Sequence, residues 1–132
     1  MTERNVEIME IIVDKLAEGA KLSKALKDVY KVRNVHIPFN DKTFDVSVME
    51  LKMSTRTTNA LMRAGHRTLG DAVKFCQRNK ITDIANLGKQ SGVELFETIL
   101  DYSWEHMTKD AQIAFLIDTV ERNSDNIYSE IA

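Results

Sequence analysis

Ser54-Thr-Arg-Thr-Thr-Asn-Ala-Leu-Met-Arg-Ala-Gly65 and, further on, Asn86-Leu-Gly-Lys-Gln-Ser-Gly-Val-Glu94 are the stretches that decide how this protein is read. Ser54 is placed to cap the first free amides of a helix, and Gly65 falls where a left-handed residue ends one. Thr68 with Asp71 makes a loose capping pair for the next helix, and Ser91 with Glu94 has the spacing of a full capping box. Asn86-Leu-Gly-Lys89 between them reads as a tight turn in which Gly88 supplies the backbone freedom. The result is a helix-hairpin-helix, which aims backbone N–H groups and the positive end of a helix outward, towards a phosphate oxygen.

The helix that follows Ser54 has two faces. Arg56, Asn59 and Arg63 recur at three- and four-residue steps and form one polar stripe, while Thr57, Ala60, Leu61 and Ala64 face the other way. Arg56 sits in the first turn, where a cation gains nothing from the helix dipole, so its position points to a role other than helix stability.

At these residues the segment from about Ser47 to Leu100 resembles the C-terminal domain of the bacterial RNA polymerase alpha subunit. The matching residues are Thr55-Arg56-Thr57-Thr58-Asn59-Ala60-Leu61 and Asn86 through Glu94. The resemblance implies that Arg56 enters the minor groove of A·T-rich double-stranded DNA, with Asn59, Gly88 and Ser91 on the backbone. Arg63, on the same stripe, and Lys89, in the hairpin turn, complete the candidate DNA-binding set. It also implies RNA polymerase or a sigma factor as partners. Three features depart from the family pattern. Gln90 stands at a position that is usually basic. Lys52 replaces an acidic residue that the family turns towards sigma, although Glu50 is acidic nearby. A length of 132 residues leaves no room for the large assembly domain, so the expectation is a protein other than an ordinary alpha subunit.

Length and composition set the outer bounds. One compact unit is expected from 132 residues, burying roughly two-thirds of the unfolded surface. With 43% hydrophobic and 29% charged residues, the sequence has the balance of a soluble globular protein. A single cysteine, Cys76, permits no internal disulfide and favours a reducing cytoplasm. No stretch has the length of a membrane span or the pattern of a leader, so no membrane is expected. The net charge of −2 is unevenly spread. Residues 1–46 are neutral, residues 47–100 carry +3 and residues 101–132 carry −5, so the basic excess coincides with the DNA-binding resemblance and the acidic excess with the tail.

Taken in order, residues 4–18 read as an amphipathic helix with Ile8, Ile11, Ile12 and Leu16 on one face and Gly19 as its stop. Met9 and Val13 widen the apolar surface; burial within the domain and a homodimer or partner contact are both open. A second helix, Leu22 to about Val32, carries Lys21, Lys24, Lys27 and Lys31 on its polar side, either as a solvated face or as an extension of a nucleic-acid surface. Alternation at Val35, Ile37 and Phe39 and again at Phe44, Val46 and Val48, around Asn40-Asp41-Lys42, predicts a short β-hairpin with Pro38 on an edge. Helices are expected over 54–64, 68–77 and 91–104, with a short turn near 82–85. A last helix runs from Thr108 to about Arg122, and a frayed end covers 123–132.

The fold expected is therefore mainly α: a small multi-helix bundle containing a helix-hairpin-helix, with a short N-terminal β-hairpin. Its parts are 1–46 for packing or dimerisation, 47–104 for the helix-hairpin-helix core, and 105–132 for the last helix and tail, forming one compact unit. The three histidines, His36, His66 and His106, do not share ligand spacing on a helix, and with one cysteine no zinc site is legible. A Cys76–His66 nucleophile pair lacks an orienting group and an oxyanion site. No enzyme, metal or cofactor is called for. Two functions remain in view. One is a transcription-related DNA-binding protein that uses minor-groove and backbone contacts. The other is a protein-interaction module that imitates the alpha C-terminal domain and binds sigma, an activator or polymerase without touching DNA.

Overall fold

The computed structural model describes residues 1–128. It contains six α-helices among them: α1 (Glu3–Ala17), α2 (Leu22–Val29), α3 (Thr55–Arg63), α4 (Leu69–Cys76), α5 (Lys89–Glu105) and α6 (Lys109–Arg122). Short 3-10 turns lie at Val48–Glu50 and Ile81–Asp83. The protein divides into two compact units, one built from Met1–Ile37 with Trp104–Ala132 and the other from Pro38–Ser103.

In the first unit α1 packs on both α2 and α6. Thr2 caps α1 by accepting from the Asn5 N–H at 3.1 Å, and Gly19, at φ 99°, takes the left-handed conformation just past its end. Ile8 and Ile12 of α1 meet a core that includes Leu22, Leu26 and Val29 of α2 and Phe115, Leu116 and Val120 of α6, all buried. Helix α2 ends three residues earlier than expected. Tyr30 turns extended and forms an isolated antiparallel bridge with Ile127. Around that bridge Lys31 N–H donates to the Asn126 carbonyl (2.7 Å) and Tyr128 N–H to the Val29 carbonyl (3.0 Å). Residues 123–128 are therefore held in place, contrary to the frayed end expected there; the rest of that expectation, 129–132, lies outside the described residues.

In the second unit Leu61, Leu69, Val48, Leu95 and Leu100 are fully buried, together with Phe44. The expected β-hairpin is absent among the described residues, which contain two isolated bridges and no strand pair. Its turn signal was genuine: the Asn40 side chain accepts from the Lys42 and Thr43 N–H groups at 2.9 and 3.2 Å. The flanking residues find other partners. Phe44–Val48 runs beside the start of α4, with Leu69 N–H on the Val46 carbonyl (3.0 Å), Gly70 N–H on the Phe44 carbonyl (2.9 Å) and Val48 N–H on the Arg67 carbonyl (3.0 Å). Gly70 suits that approach, since a Cβ there would lie 3.3 Å from the Phe44 carbonyl oxygen, a tight contact that the neighbouring backbone would have to ease by a few tenths of an ångström. Of the other expected arm, Val35 and Ile37 fall in the first unit, while Phe39 falls in the second and stacks its ring on that of Phe44, 5.5 Å between centroids.

The two capping readings exchange places. Thr68 and Asp71 form a complete capping box: Asp71 N–H donates to the Thr68 hydroxyl and Thr68 N–H to the Asp71 carboxylate, both at 3.1 Å. Ser91 and Glu94 do not, because α5 starts two residues before Ser91, at Lys89, which puts Ser91 inside the helix.

Candidate nucleic-acid interface

Helix α3 begins as its sequence requires. The Ser54 hydroxyl accepts from the Thr57 N–H (3.3 Å), and Gly65, at φ 86°, follows the helix in the left-handed conformation. Thr57, Ala60 and Leu61 are buried, which leaves Arg56, Asn59 and Arg63 along the opposite, more open stripe, as their spacing predicted. Helix α5 begins after the turn Asn86–Gly88, and its first backbone bond back into that turn runs from Gly92 N–H to the Gly88 carbonyl (2.9 Å). The residue in the left-handed region of this turn is Asn86, at φ 64°, and not Gly88 as the sequence suggested. Asparagine tolerates that conformation because its side chain is short and polar. A Cβ added to Gly88 would meet nothing within 4 Å, so the turn presents bare backbone to its surroundings.

Between the start of α3 and the start of α5 lies an open groove of about 640 Å³ lined by Ser54, Arg56, Thr57, Asn86, Gly88, Lys89, Gln90, Ser91 and Glu94. Four of the six sequence-derived candidates, Arg56, Gly88, Lys89 and Ser91, share this groove. Asn59 and Arg63 are not part of its lining and continue the outer face of α3 beyond it. Ser91 is only 7% exposed, so its hydroxyl sits at the floor of the groove while Arg56, Gly88, Lys89 and Gln90 form exposed walls.

Gln90, already marked as standing at a usually basic position, also lines the groove, and so do Ser54, Thr57, Asn86 and Glu94, which the candidate set did not include; Glu94 matters most. Its Oε1 accepts from the Ser54 N–H at 3.1 Å and from the Ser54 hydroxyl at 2.9 Å. Burial is the largest single influence on this carboxyl and pushes its pKa up. Hydrogen bonds from the Thr57 hydroxyl, the Ser54 hydroxyl and the Ser54 N–H together outweigh burial and hold it below the usual glutamate value. Glu94 therefore stays ionised and occupies the positive end of α3. The orphan amides that open α5, at Lys89–Ser91, lie on the other side of the same groove. Chemically the groove offers two cations, one helix N-terminus and exposed turn backbone, with one carboxylate already committed to a cap. The signal for Glu94 was its three-residue offset from Ser91, which local reading assigned to the wrong helix.

Residues 37–101 match the family described as the C-terminal domain of the bacterial RNA polymerase alpha subunit. This region resembles that domain. The match begins ten residues before the segment the sequence motifs marked, and it coincides closely with the second unit, Pro38–Ser103. Among curated proteins this one is 30% identical over 93 residues to the DNA-directed RNA polymerase subunit alpha of Syntrophomonas wolfei subsp. wolfei (strain DSM 2245B / Goettingen), covering 67% of the present sequence and 29% of that protein. It is 33% identical over 67 residues to the DNA-directed RNA polymerase subunit alpha of Trieres chinensis, covering 51% of the present sequence and 21% of that one. The protein thus spans less than a third of the length of these relatives. No solved structure matches it significantly. Among the described residues no helix is long and apolar enough to cross a membrane, and no group of three or more His, Cys, Asp or Glu could hold a metal ion.

Proposed function

We propose that the alpha C-terminal-domain-like unit, Pro38–Ser103, is a DNA-binding module that acts in transcription. The observation that carries the reading is the groove in which Arg56, from the first turn of α3, stands across from Gly88, Lys89 and Ser91 at the start of α5. A phosphate oxygen approaching α5 would meet orphan amides, the positive end of a seventeen-residue helix and the Lys89 ammonium. Bare backbone at Gly88 lets the sugar-phosphate strand approach closely. Arg56 then reaches into the adjacent minor groove, where A·T-rich sequence narrows the groove and deepens its negative potential. Asn59 and Arg63 add backbone contacts farther along α3. Few phosphates are engaged, so affinity is modest and sequence is read from shape.

The experiment is a binding titration of A·T-rich and G·C-rich duplexes with the full-length protein and Arg56→Ala. Arg56→Ala should weaken A·T-rich binding by about 1–3 kcal/mol, the range for a good arginine–base contact. A folded variant that binds as well as the parent refutes the minor-groove role. Capture of RNA polymerase or a sigma factor that persists after nuclease treatment, with no duplex binding by the parent, would favour the protein-interaction module instead.

A further inference from the structure

On α1, Glu3, Val6, Glu10, Val13 and Ala17 recur at steps of three and four, and all are exposed. They form one outward seam of alternating acidic and apolar residues, in which Val6 and Val13 are 40% and 43% exposed. Glu7, Asp14 and Glu18, also exposed, extend the acidic side. The ion pairs of this unit involve Lys15, Lys24, Asp28, Asp118 and Arg122, so among the described residues the carboxylates of α1, and that of Glu18 just past it, lack a cation. In the same unit α2 exposes Lys24 and Lys27, with Lys21 just before it and Lys31 just beyond its end. Lys24 is held by Asp28. The other three form no ion pair among the described residues.

We propose that the acidic, apolar face of α1 docks onto the lysine face of α2 in a second copy of this protein. The contact is reciprocal: each copy offers one acidic and one basic helix, so a two-fold axis closes both pairs at once. At 1.5 Å per residue the acidic seam from Glu3 to Glu18 runs about 22 Å, longer than the roughly 9 Å between Lys21 and Lys27, so the lysines fall wholly within it. Lysine stems lie over Val6 and Val13 while their ammonium groups reach the flanking glutamates. Pairing α1 with α1 of the other copy would set carboxylates against carboxylates, which like-charge repulsion disfavours. Two small contacts of this kind give a weak, salt-sensitive dimer. The inference does not depend on the DNA reading; if both hold, one particle carries two grooves and gains effective concentration on duplex DNA.

Sedimentation velocity of the full-length protein from about 1 to about 200 µM, at low and high salt, tests it with charge reversals. The parent should dimerise at low salt. Glu7→Lys/Glu10→Lys and Lys21→Glu/Lys27→Glu should each weaken self-association at least about tenfold. An equimolar mixture of the two variants should restore a mixed dimer, since both reciprocal contacts are again of opposite sign. Circular dichroism checks that the variants fold; should either reversal unfold, Glu7→Gln/Glu10→Gln with Val13→Ser gives the same readout at lower perturbation. A parent that stays monomeric throughout, a dimer indifferent to the reversals, or a mixture that fails to associate overturns the proposal. So does a monomeric parent that binds a lysine-rich peptide through Glu7 and Glu10, which would assign the face to a basic partner.

Discussion

Glu94 closes the N-terminus of a helix whose cap lies forty residues earlier: one carboxylate oxygen takes both the Ser54 N–H and the Ser54 hydroxyl. The bond ties α5 to the start of α3 at the groove that Arg56 and Lys89 line. It also explains how a carboxylate can line a surface that is read as anion-binding, since its charge is spent on a helix end.

Glu94→Ala should destabilise the second unit by about 1–2 kcal/mol, the range for a lost helix cap. The sign of its pH dependence follows from the lowered pKa of Glu94. A depressed carboxyl contributes stability above the ordinary glutamate value of 4.5 and loses that contribution as pH falls through the lower folded value. Urea titrations of parent and variant should therefore differ clearly at neutral pH and draw together as the pH falls below the ordinary glutamate value. A gap that persists in acid would assign the effect to packing alone.

Lys89 and Arg56 should separate in their salt behaviour. If Lys89 contacts a phosphate, Lys89→Ala weakens binding to A·T-rich and G·C-rich duplexes alike and lowers the salt slope by about 1. Arg56→Ala should instead reduce the A·T preference itself. Titrations of both variants against both duplexes across a salt series distinguish the two roles, and equal loss of preference in each would merge them.

Where local chemistry decided the outcome, the sequence was legible. Ser54 capped α3, Gly65 followed it left-handed, the last helix opened at Thr108, there as its cap, and Arg56, Asn59 and Arg63 emerged on one outward stripe. Where distant partners decided, it was not. The alternating residues 44–48 have the period of a strand, yet their backbone bonds go to Arg67, Leu69 and Gly70 at the start of α4, and from the other supposed arm Phe39 meets them ring to ring, on Phe44. Glu94 has capping-box spacing from Ser91, but Ser54 competes for it from forty residues away. Residues 123–128 carry no strong periodicity, and what orders them is a bridge to Tyr30 near the other end of the sequence.

Tyr30 gives a prediction that runs against the usual cost of core substitution. Its side chain is fully buried, its hydroxyl has no hydrogen-bond partner among the described residues, and burial pushes its pKa up to about 12. Tyr30→Phe removes an unsatisfied buried polar group with little change of shape, so stability should be unchanged or rise by up to about 1–2 kcal/mol. A raised tyrosine pKa means that the folded state favours the neutral phenol: this contribution is complete below the ordinary value of 10.0 and is lost as pH rises towards about 12. Thermal melts at neutral and alkaline pH should show the parent losing stability faster than the phenylalanine variant. A clear loss in Tyr30→Phe at neutral pH would mean that the hydroxyl has a partner.

Asn123 is the counterpart, a buried polar side chain whose bonds are all used. It is fully buried at the end of α6, and its Oδ1 accepts from the Asn34 N–H (2.7 Å) and the Asn126 side chain (3.1 Å). Its amide group donates to the Asn34 carbonyl (2.8 Å) and to the Thr119 carbonyl (2.7 Å). One side chain therefore holds residue 34 by both its backbone groups, across 89 positions of sequence. Asn123→Ala would remove these bonds, of which the one to the Thr119 carbonyl is buried and those to Asn34 and Asn126 are part-buried, at a cost of about 1–3 kcal/mol in the first unit. Asn123→Asp keeps the acceptor but places a carboxylate against two carbonyls, so it should fare no better than alanine at neutral pH and recover in part when protonated. Amide hydrogen exchange separates this from a general loss of folding. Protection should fall at Asn34, Lys31 and Tyr128 in the variant, while the α3 and α5 amides of the other unit keep theirs; uniform loss across both units would mean that Asn123 supports the whole protein and is no local latch.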